Sequence, residues 1–536
     1  MPNVNARIRN RLLHAIPIEL AATDSARKAI AALPAPEERR RAVEAFTLPY
    51  GEREFLQERG VDLDQPANAR CREARDRVTP FVTQYRGQRL PQDAVAGVLP
   101  ALRLLRIALS DPAVHEEQAR VGWDTLAQAC ELLAPVPELP PDVVVFVRQA
   151  IVDALATDPG DFDSNFDEHS SWGSPAPHVP AATAAMYLYP EHSSPESADA
   201  VRRASSSPFR PARAQVASLL LRLHKVEPGL MWELARRYAF EEPSPGVVHA
   251  FVARSLGHLF MLDAQEAMSY LSAAAERAAQ GGPTWQNVLS STRSLYVWRY
   301  LGGETAAEPP VLNLLDRRNE ATDAVRSMLF DLRRFVREGD ASSIIVRRSV
   351  ALLETCAGLF SDDLAQIEKD ARERPLTEGE IARAKSVSTN LHELASELYF
   401  ASGAYSRPDN PKARPDAADL RFLTDIMPTL RRLTPVGMPG VVHRLLELIE
   451  FFVDDRAAEL FPIVTSLIQA GAKNQYQYEH MGAELAVGLI ERYMVSYRDV
   501  VESSEENRRA LIRALDVFAS WPNAVRLVYD FDELFR

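Results

Sequence analysis

A chain of 536 residues that is 46% apolar and 25% charged has the make-up of a folded globular protein, which excludes a disordered chain and an integral membrane protein. Its formal charge of −13 argues against wholesale binding of nucleic acid, where Lys and Arg contacts to phosphate dominate affinity. No apolar run approaches the roughly 20 residues that span a bilayer, and the opening MPNVNARIRNRLLHAIPIEL lacks the apolar centre and cleavage site of a signal peptide, so a cytoplasmic location without membrane contact is expected.

Helical periodicity dominates the chain, and alternating β-branched runs bounded by turn signals are scarce, which predicts an all-α fold. The first block, residues 1–157, contains AVAGVLPALRLLRIAL (94–109) and PDVVVFVRQAIVDALA (141–156). Both are apolar on more than one side and are expected to be buried. Cys71 and Cys130 fall here and Cys356 much later. Three thiols far apart, odd in number and in no CxxC pair predict small buried apolar residues with neither a disulfide nor a catalytic or metal role.

A loop rich in turn formers and acids, DPGDFDSNFDEHSSWGSP (158–175), leads into a repeated phrase. SPFRPARAQVASLLLRL (207–223) is followed by SPGVVHAFVARSLGHL (244–259), and Ala214, Val216, Ala217, Leu220 and Leu223 match Ala250, Val252, Ala253, Leu256 and Leu259 at a spacing of 36. A weaker copy lies upstream in SPAPHVPAATAAMYL (174–188), where Ala181, Ala184, Met186 and Leu188 match Ala214, Ala217, Leu219 and Leu221 at a spacing of 33. Between the copies, PGLMWELARRYAF (228–240) places Leu230, Leu234 and Tyr238 at fourfold spacing, with Met231 and Ala235 beside them. Matched helices alternating with shorter partners predict a HEAT-like α-solenoid of stacked helix pairs over residues 158–301, with additional helical blocks at both ends.

The stretches GGETAAEPP (302–310) and SRPDNPKARPDAAD (406–419) mark the borders of a helical block at 302–405 and a C-terminal helical capping block at 406–536. In the last block Val442, Leu445, Leu446, Ile449 and Phe452 form one stripe, Leu460, Val464, Leu467 and Ile468 a second, and Leu485, Leu489, Ile490, Tyr493 and Tyr497 a third. The ending WPNAVRLVYDFDELFR is expected to form a short helix that seals the array.

Motifs that carry chemistry are missing. There is no GxxxxGK[ST] loop, no strand-coupled GxGxxG and no GxSxG elbow, so no cofactor and no catalytic residue is expected. Asp161, Asp163, Asn165 and Asp167 have the alternate spacing of a calcium loop, but Phe166 stands where the turn requires Gly and Trp172 where a bidentate Glu would close the shell. His392 and Glu393 open like a zinc-protease helix, but Ser396 replaces the second His. His480 and Glu484 share a helix face as a lone pair. An enzyme would have to use an unrecognised metal site in the acidic loop, and no metal site is expected.

Charge is uneven. Between residues 201 and 240 stand eight bases (Arg202, Arg203, Arg210, Arg213, Arg222, Lys225, Arg236, Arg237) against two acids (Glu227, Glu233), a local excess of six positive charges. The plainest account is a set of solvated helix faces whose acids come from neighbouring turns. Phe209, Trp232, Tyr238 and Phe240 lie beside these bases and could in principle stack on nucleobases, though the spacing of Trp232 and Tyr238 suits packing against neighbouring repeats. If the block recognises a protein partner, Arg210, Arg213, Arg222, Arg236, Arg237 and His249 are the residues expected to do so, on a concave face lined by the second helices of the array. The alternative is a nucleic-acid-sensing module that uses the basic block 202–237, which the overall acidity disfavours.

The phrases SSWGSPAPHVPAATAAMYL (170–188), SPFRPARAQVASLLLRL with LMWEL (230–234), YQYEHMGAELAVGLIERYMVSYRDV and WPNAVRLVYDFDELFR resemble the helical, HEAT-like C-terminal region of large bacterial ATP-binding proteins. Those proteins are grouped with signalling NTPases and linked to defence against phage and mobile DNA. The resemblance runs from about Asp161 to Arg536 and carries no catalytic residue. It implies a sensor or scaffold surface, and, since the nucleotide-binding module of such proteins lies upstream, a protein partner such as a separately encoded ATPase.

Overall fold

The computed structural model describes residues 52–88, 90–338, 343–406, 414–474, 476 and 480–518. Every regular element among them is helical and none is a strand, so the fold is all-α. None of the described helices is long and apolar enough to cross a membrane. The helices cluster into two units, one up to Val288 and one from Leu289 onward.

The first unit runs α1 (Glu52–Glu58), α2 (Pro66–Asp76), α3 (Thr79–Tyr85), α4 (Gln92–Leu109), α5 (Glu116–Leu133), α6 (Pro141–Leu155), α7 (Phe166–His169), α8 (His178–Glu191), α9 (Pro195–Ser205), α10 (Arg210–Ser218), α11 (Pro228–Phe240), α12 (Pro245–Phe251) and α13 (Ala264–Gln280). Proline sits in the first two positions of α2, α6, α9, α10, α11 and α12. There its fixed φ favours the first turn and its missing N–H costs nothing. Helix α8 packs against α5, α6, α9 and α10, and α10 in turn packs on α12. Its sequence explains this central place: Ala181, Ala182, Ala184, Ala185, Met186 and Leu188 are all buried, and small side chains on several faces let neighbouring helices approach from each.

The repeated phrase folds with a difference between its copies. Val216, Leu220 and Leu223 are buried, as are Val252, Leu256 and Leu259. The shared stripe does not lie on one regular helix, however. In the first copy α10 tightens into a 3-10 turn at Leu220–Leu223, and in the second α12 widens into a π-turn at Val252–Leu256 before a last turn at Gly257–Leu259. Widening takes an additional residue into the turn, so Ala253 faces solvent where its counterpart Ala217 is buried. In α11, Leu230, Met231, Leu234, Ala235 and Tyr238 are buried as the spacing predicts.

The expectation that 94–109 and 141–156 are buried on more than one side is corrected. In α4, Leu102, Leu105 and Leu109 are buried, but Leu104 and Ile107 are 46% and 70% exposed, because α2 and α5 cover one side of the helix. Val145 of α6 likewise faces outward. All three cysteines are buried as expected, and burial pushes the Cys71 thiol up to about 11 and those of Cys130 and Cys356 up to about 12, where they stay protonated and inert.

From α14 (Gln286–Leu301) the chain continues through α15 (Glu308–Asp316), α16 (Thr322–Glu338), α17 (Ile344–Glu373), α18 (Glu378–Ser402), α19 (Ala417–Leu433), α20 (Pro439–Lys473), α21 (His480–Val495), α22 (Arg498–Glu502) and α23 (Glu505–Phe518). Helix α18 packs on α16, α17 and α20, and α20 on α21 and α23. The first two stripes of this region belong to the same helix, α20, which bends where Arg456 leaves helical geometry (φ −138°, ψ 35°), six residues before Pro462. All nine residues of these stripes are buried; in the third, Leu489, Ile490 and Tyr493 are buried and Leu485 and Tyr497 half-buried. The ending WPNAVRLVYDFDELFR and most of YQYEH lie outside the described residues.

Candidate interaction surface

The basic stretch does not form one cationic face, because four of its eight bases, Arg203, Arg210, Arg213 and Arg222, meet carboxylates supplied from outside it, and Arg202 pairs with Glu227 within it. Arg210, at the start of α10, is clasped by the acidic loop. Its Nε donates to Asp163 Oδ2 at 2.9 Å, its Nη1 to Asp167 Oδ2 at 2.6 Å and its Nη2 to the Asp163 carbonyl at 2.7 Å. Asp167 Oδ1 also accepts from Gly246 N at 3.1 Å and from the Ser244 hydroxyl, which ties the loop to the start of α12. The alternate acids that suggest a calcium loop thus hold a guanidinium and a helix N-terminus. Phe166 is buried between them, and a Cβ on Gly246 would lie 2.7 Å from its ring. That contact accounts for glycine at position 246, where any side chain would meet the ring and the Phe166 carbonyl.

Arg213 points inward. Its Nε and Nη2 donate to the two oxygens of Glu242 at 3.0 and 2.8 Å, and Nη1 donates to the Ser207 carbonyl at 2.8 Å. Arg222 lies 3.8 Å over the ring of Tyr187 and 3.9 Å from Glu191. Arg237 donates to the carbonyl of Ser205 and lies over the ring of Tyr238. His249 is half-buried, and burial, together with the nearby Arg254, holds its pKa below the ordinary value.

Arg236 differs from these. It is exposed, and it opens with Arg237 onto a groove of ≈ 540 Å³ between α11 and α13, walled by Trp232, Glu233, Glu241, Glu266 and Tyr270. The Trp232 and Phe240 rings lie 6.0 and 5.9 Å from that of Tyr270, whose hydroxyl donates to Glu266 at 2.7 Å. Tyr238 is fully buried, in agreement with a packing role, whereas Trp232 is half-buried on the groove wall and Phe240 is 47% exposed. The structure therefore brings Arg236 and Arg237 together and leaves Arg210, Arg213, Arg222 and His249 in other surroundings. The residues that sequence reasoning missed, Glu266 and Tyr270, lie beyond the basic stretch. The one signal for them is their four-residue spacing on a helix.

Among the described residues no group of three His, Cys, Asp or Glu side chains is placed to hold a metal ion. Glu393 is paired with Arg326 at 3.0 Å, and the side chain of His480 lies outside the described residues. Comparison with protein-family models, with curated proteins and with solved structures finds no match to this chain.

Proposed function

We propose that the chain is a non-catalytic helical-repeat scaffold, a HEAT-like solenoid in its first unit, whose groove between α11 and α13 docks a protein partner. The observation that carries this reading is the make-up of the groove: Trp232, Tyr270 and the exposed Phe240 beside Arg236, with Glu233, Glu241 and Glu266 around them. Tyr, Trp and Arg are the residues that dominate binding energy at protein interfaces. Three carboxylates facing two guanidiniums favour a partner of mixed charge over a polyanion, which supports the protein-binding reading against the nucleic-acid-sensing one. The partner class that the family resemblance implies is a separately encoded ATPase of a bacterial signalling or defence system.

The test is a pull-down with the full chain, with and without nuclease, that compares wild type with Arg236→Glu and Glu233→Arg. Both side chains are exposed, so either change should leave stability within about 0.5 kcal/mol of wild type. A partner retained after nuclease and weakened about tenfold or more by either variant is the expected result. Equal capture by all three proteins would remove the groove as the docking site, and capture that vanishes with nuclease would favour the nucleic-acid reading.

A further inference from the structure

A second cavity, of ≈ 630 Å³, lies elsewhere in the first unit, where the end of α3, the start of α4, the C-terminal half of α5 and the following loop meet Tyr187 of α8. Its volume falls within the range of small-molecule sites. Its walls are built, not incidental. His192 Nε2 donates to the Val136 carbonyl at 2.9 Å, fixing the loop after α5, and the guanidinium of Arg222 backs the Tyr187 ring.

Two opposite charges face this space. Glu131 lies half-buried on α5, and Arg86 is exposed just beyond α3. They feel one another electrostatically, yet among the described residues no ion pair within 4 Å joins them or engages either one. Burial pushes the Glu131 carboxyl up to about 7, Arg86 pulls it down and Asp124 adds to the rise, which describes a carboxylate short of a cationic partner. Val82, Leu132 and Val136 supply apolar wall, and Gln92 supplies an amide that both donates and accepts, whereas the amide nitrogen of Gln128 already donates to Asp124 Oδ2 at 2.7 Å. A simple anion would meet Glu131 and Glu138, and a simple cation would meet Arg86. A molecule with both charges and an apolar body meets Glu131, Arg86 and the apolar wall, and leaves Glu138, which is exposed, to solvent.

We propose that this cavity binds a small zwitterion of the free dipeptide class, with its ammonium on Glu131, its carboxylate on Arg86 and its apolar side chains on Val82, Leu132 and Val136. The amide of Gln92, on the cavity wall, can donate to or accept from a peptide bond. Binding here is independent of the groove between α11 and α13, which shares no lining residue with it.

Calorimetric titration of the full chain with Leu-Leu, N-acetyl-Leu-Leu and Leu-Leu-amide tests this. Leu-Leu should bind saturably at millimolar or lower concentration, and loss of either terminal charge should weaken binding about tenfold or more, because the site's own charged group is then left unpaired. With Glu131→Gln the acetylated peptide should lose little relative to Leu-Leu, whereas the amidated one should still be penalised; Arg86→Gln should show the reverse. Failure of Leu-Leu to bind, or equal binding of all three peptides to wild type, would overturn the proposal without use of any variant.

Discussion

The guanidinium of Arg213 makes two parallel hydrogen bonds to Glu242, and the two side chains are only 13% and 3% exposed. Taking Arg213 away leaves the buried Glu242 carboxylate with the Ser244 N–H at 3.1 Å and no paired cation in place of the guanidinium, which costs more than the pair contributes when intact. Arg213→Met should therefore destabilise the chain by about 3–5 kcal/mol, read by urea denaturation, whereas Arg236→Glu should shift the same curve by no more than about 0.5 kcal/mol. A small effect at Arg213 would show that the pair is more solvated than its geometry implies. Charge reversal at Arg213, an obvious probe of a basic surface, would test folding and not recognition. The reason is instructive about what a sequence can carry. A local window counts eight bases and two acids but cannot say that Asp163, Asp167, Glu191 and Glu242, from outside the window, will turn toward the largely hidden guanidiniums of Arg210, Arg213 and Arg222. The general account, acids supplied by neighbouring turns, was legible; the placing of Arg236 and Arg237 on a groove was not, because it depends on which helix lies alongside α11.

At the scale of elements, the alternation of apolar positions is enough to locate the helices and their buried faces, as α11 and α20 demonstrate through Leu230, Leu234 and Tyr238 and through Val442 to Ile468. What periodicity cannot carry is a local change of pitch. The two copies of the repeated phrase diverge because α10 ends in a 3-10 turn while α12 passes through a π-turn, and these distortions answer one another. The fully buried Ser255, inside the π-turn, donates its hydroxyl to the Ala217 carbonyl at 2.6 Å and lies 3.2 Å from the Ser218 carbonyl. Those carbonyls belong to the end of α10, where the last acceptors of a helix lack partners of their own. Ser255→Ala would leave a buried carbonyl without the hydroxyl and should cost about 1–2 kcal/mol. Hydrogen exchange offers a local check: the amides of the last turn of α10 and of Leu220–Leu223 should lose protection ahead of those in α8. Unchanged protection there would mean that packing alone holds the join between the copies.

Across the whole molecule, the charge of −13 and the distribution of perturbed carboxyls together set how stability responds to pH. Burial pushes Asp124 up to about 6, against the pull of its hydrogen bonds from Ala176 and Gln128, and Glu131 up to about 7; burial also raises Asp331, Glu397 and Asp419. A carboxyl whose folded-state pKa lies above its unfolded value of about 4 binds its proton more tightly in the native chain. Its contribution is therefore most favourable at acidic pH and is lost as pH rises through the folded pKa. For Asp124 and Glu131 this is on the order of 3 kcal/mol each, at about 1.4 kcal/mol per pKa unit. Asp163 and Asp363 act in the opposite sense: the guanidiniums that they hold lower their pKa, so their contribution is present above about pH 4 and is lost as pH falls further. Relief of repulsion among excess acids adds to the gain on mild acidification. The melting temperature should thus rise as the pH is lowered from 8 to about 5.5 and fall again below about pH 4. In Glu131→Gln, whose amide cannot ionise, the rise between pH 8 and 5.5 should shrink while the loss at low pH persists. A melting profile that is flat over that interval, or one that Glu131→Gln leaves unaltered, would mean that the carboxyl at the cavity wall is already well solvated, and would separate its titration from the stability of the fold.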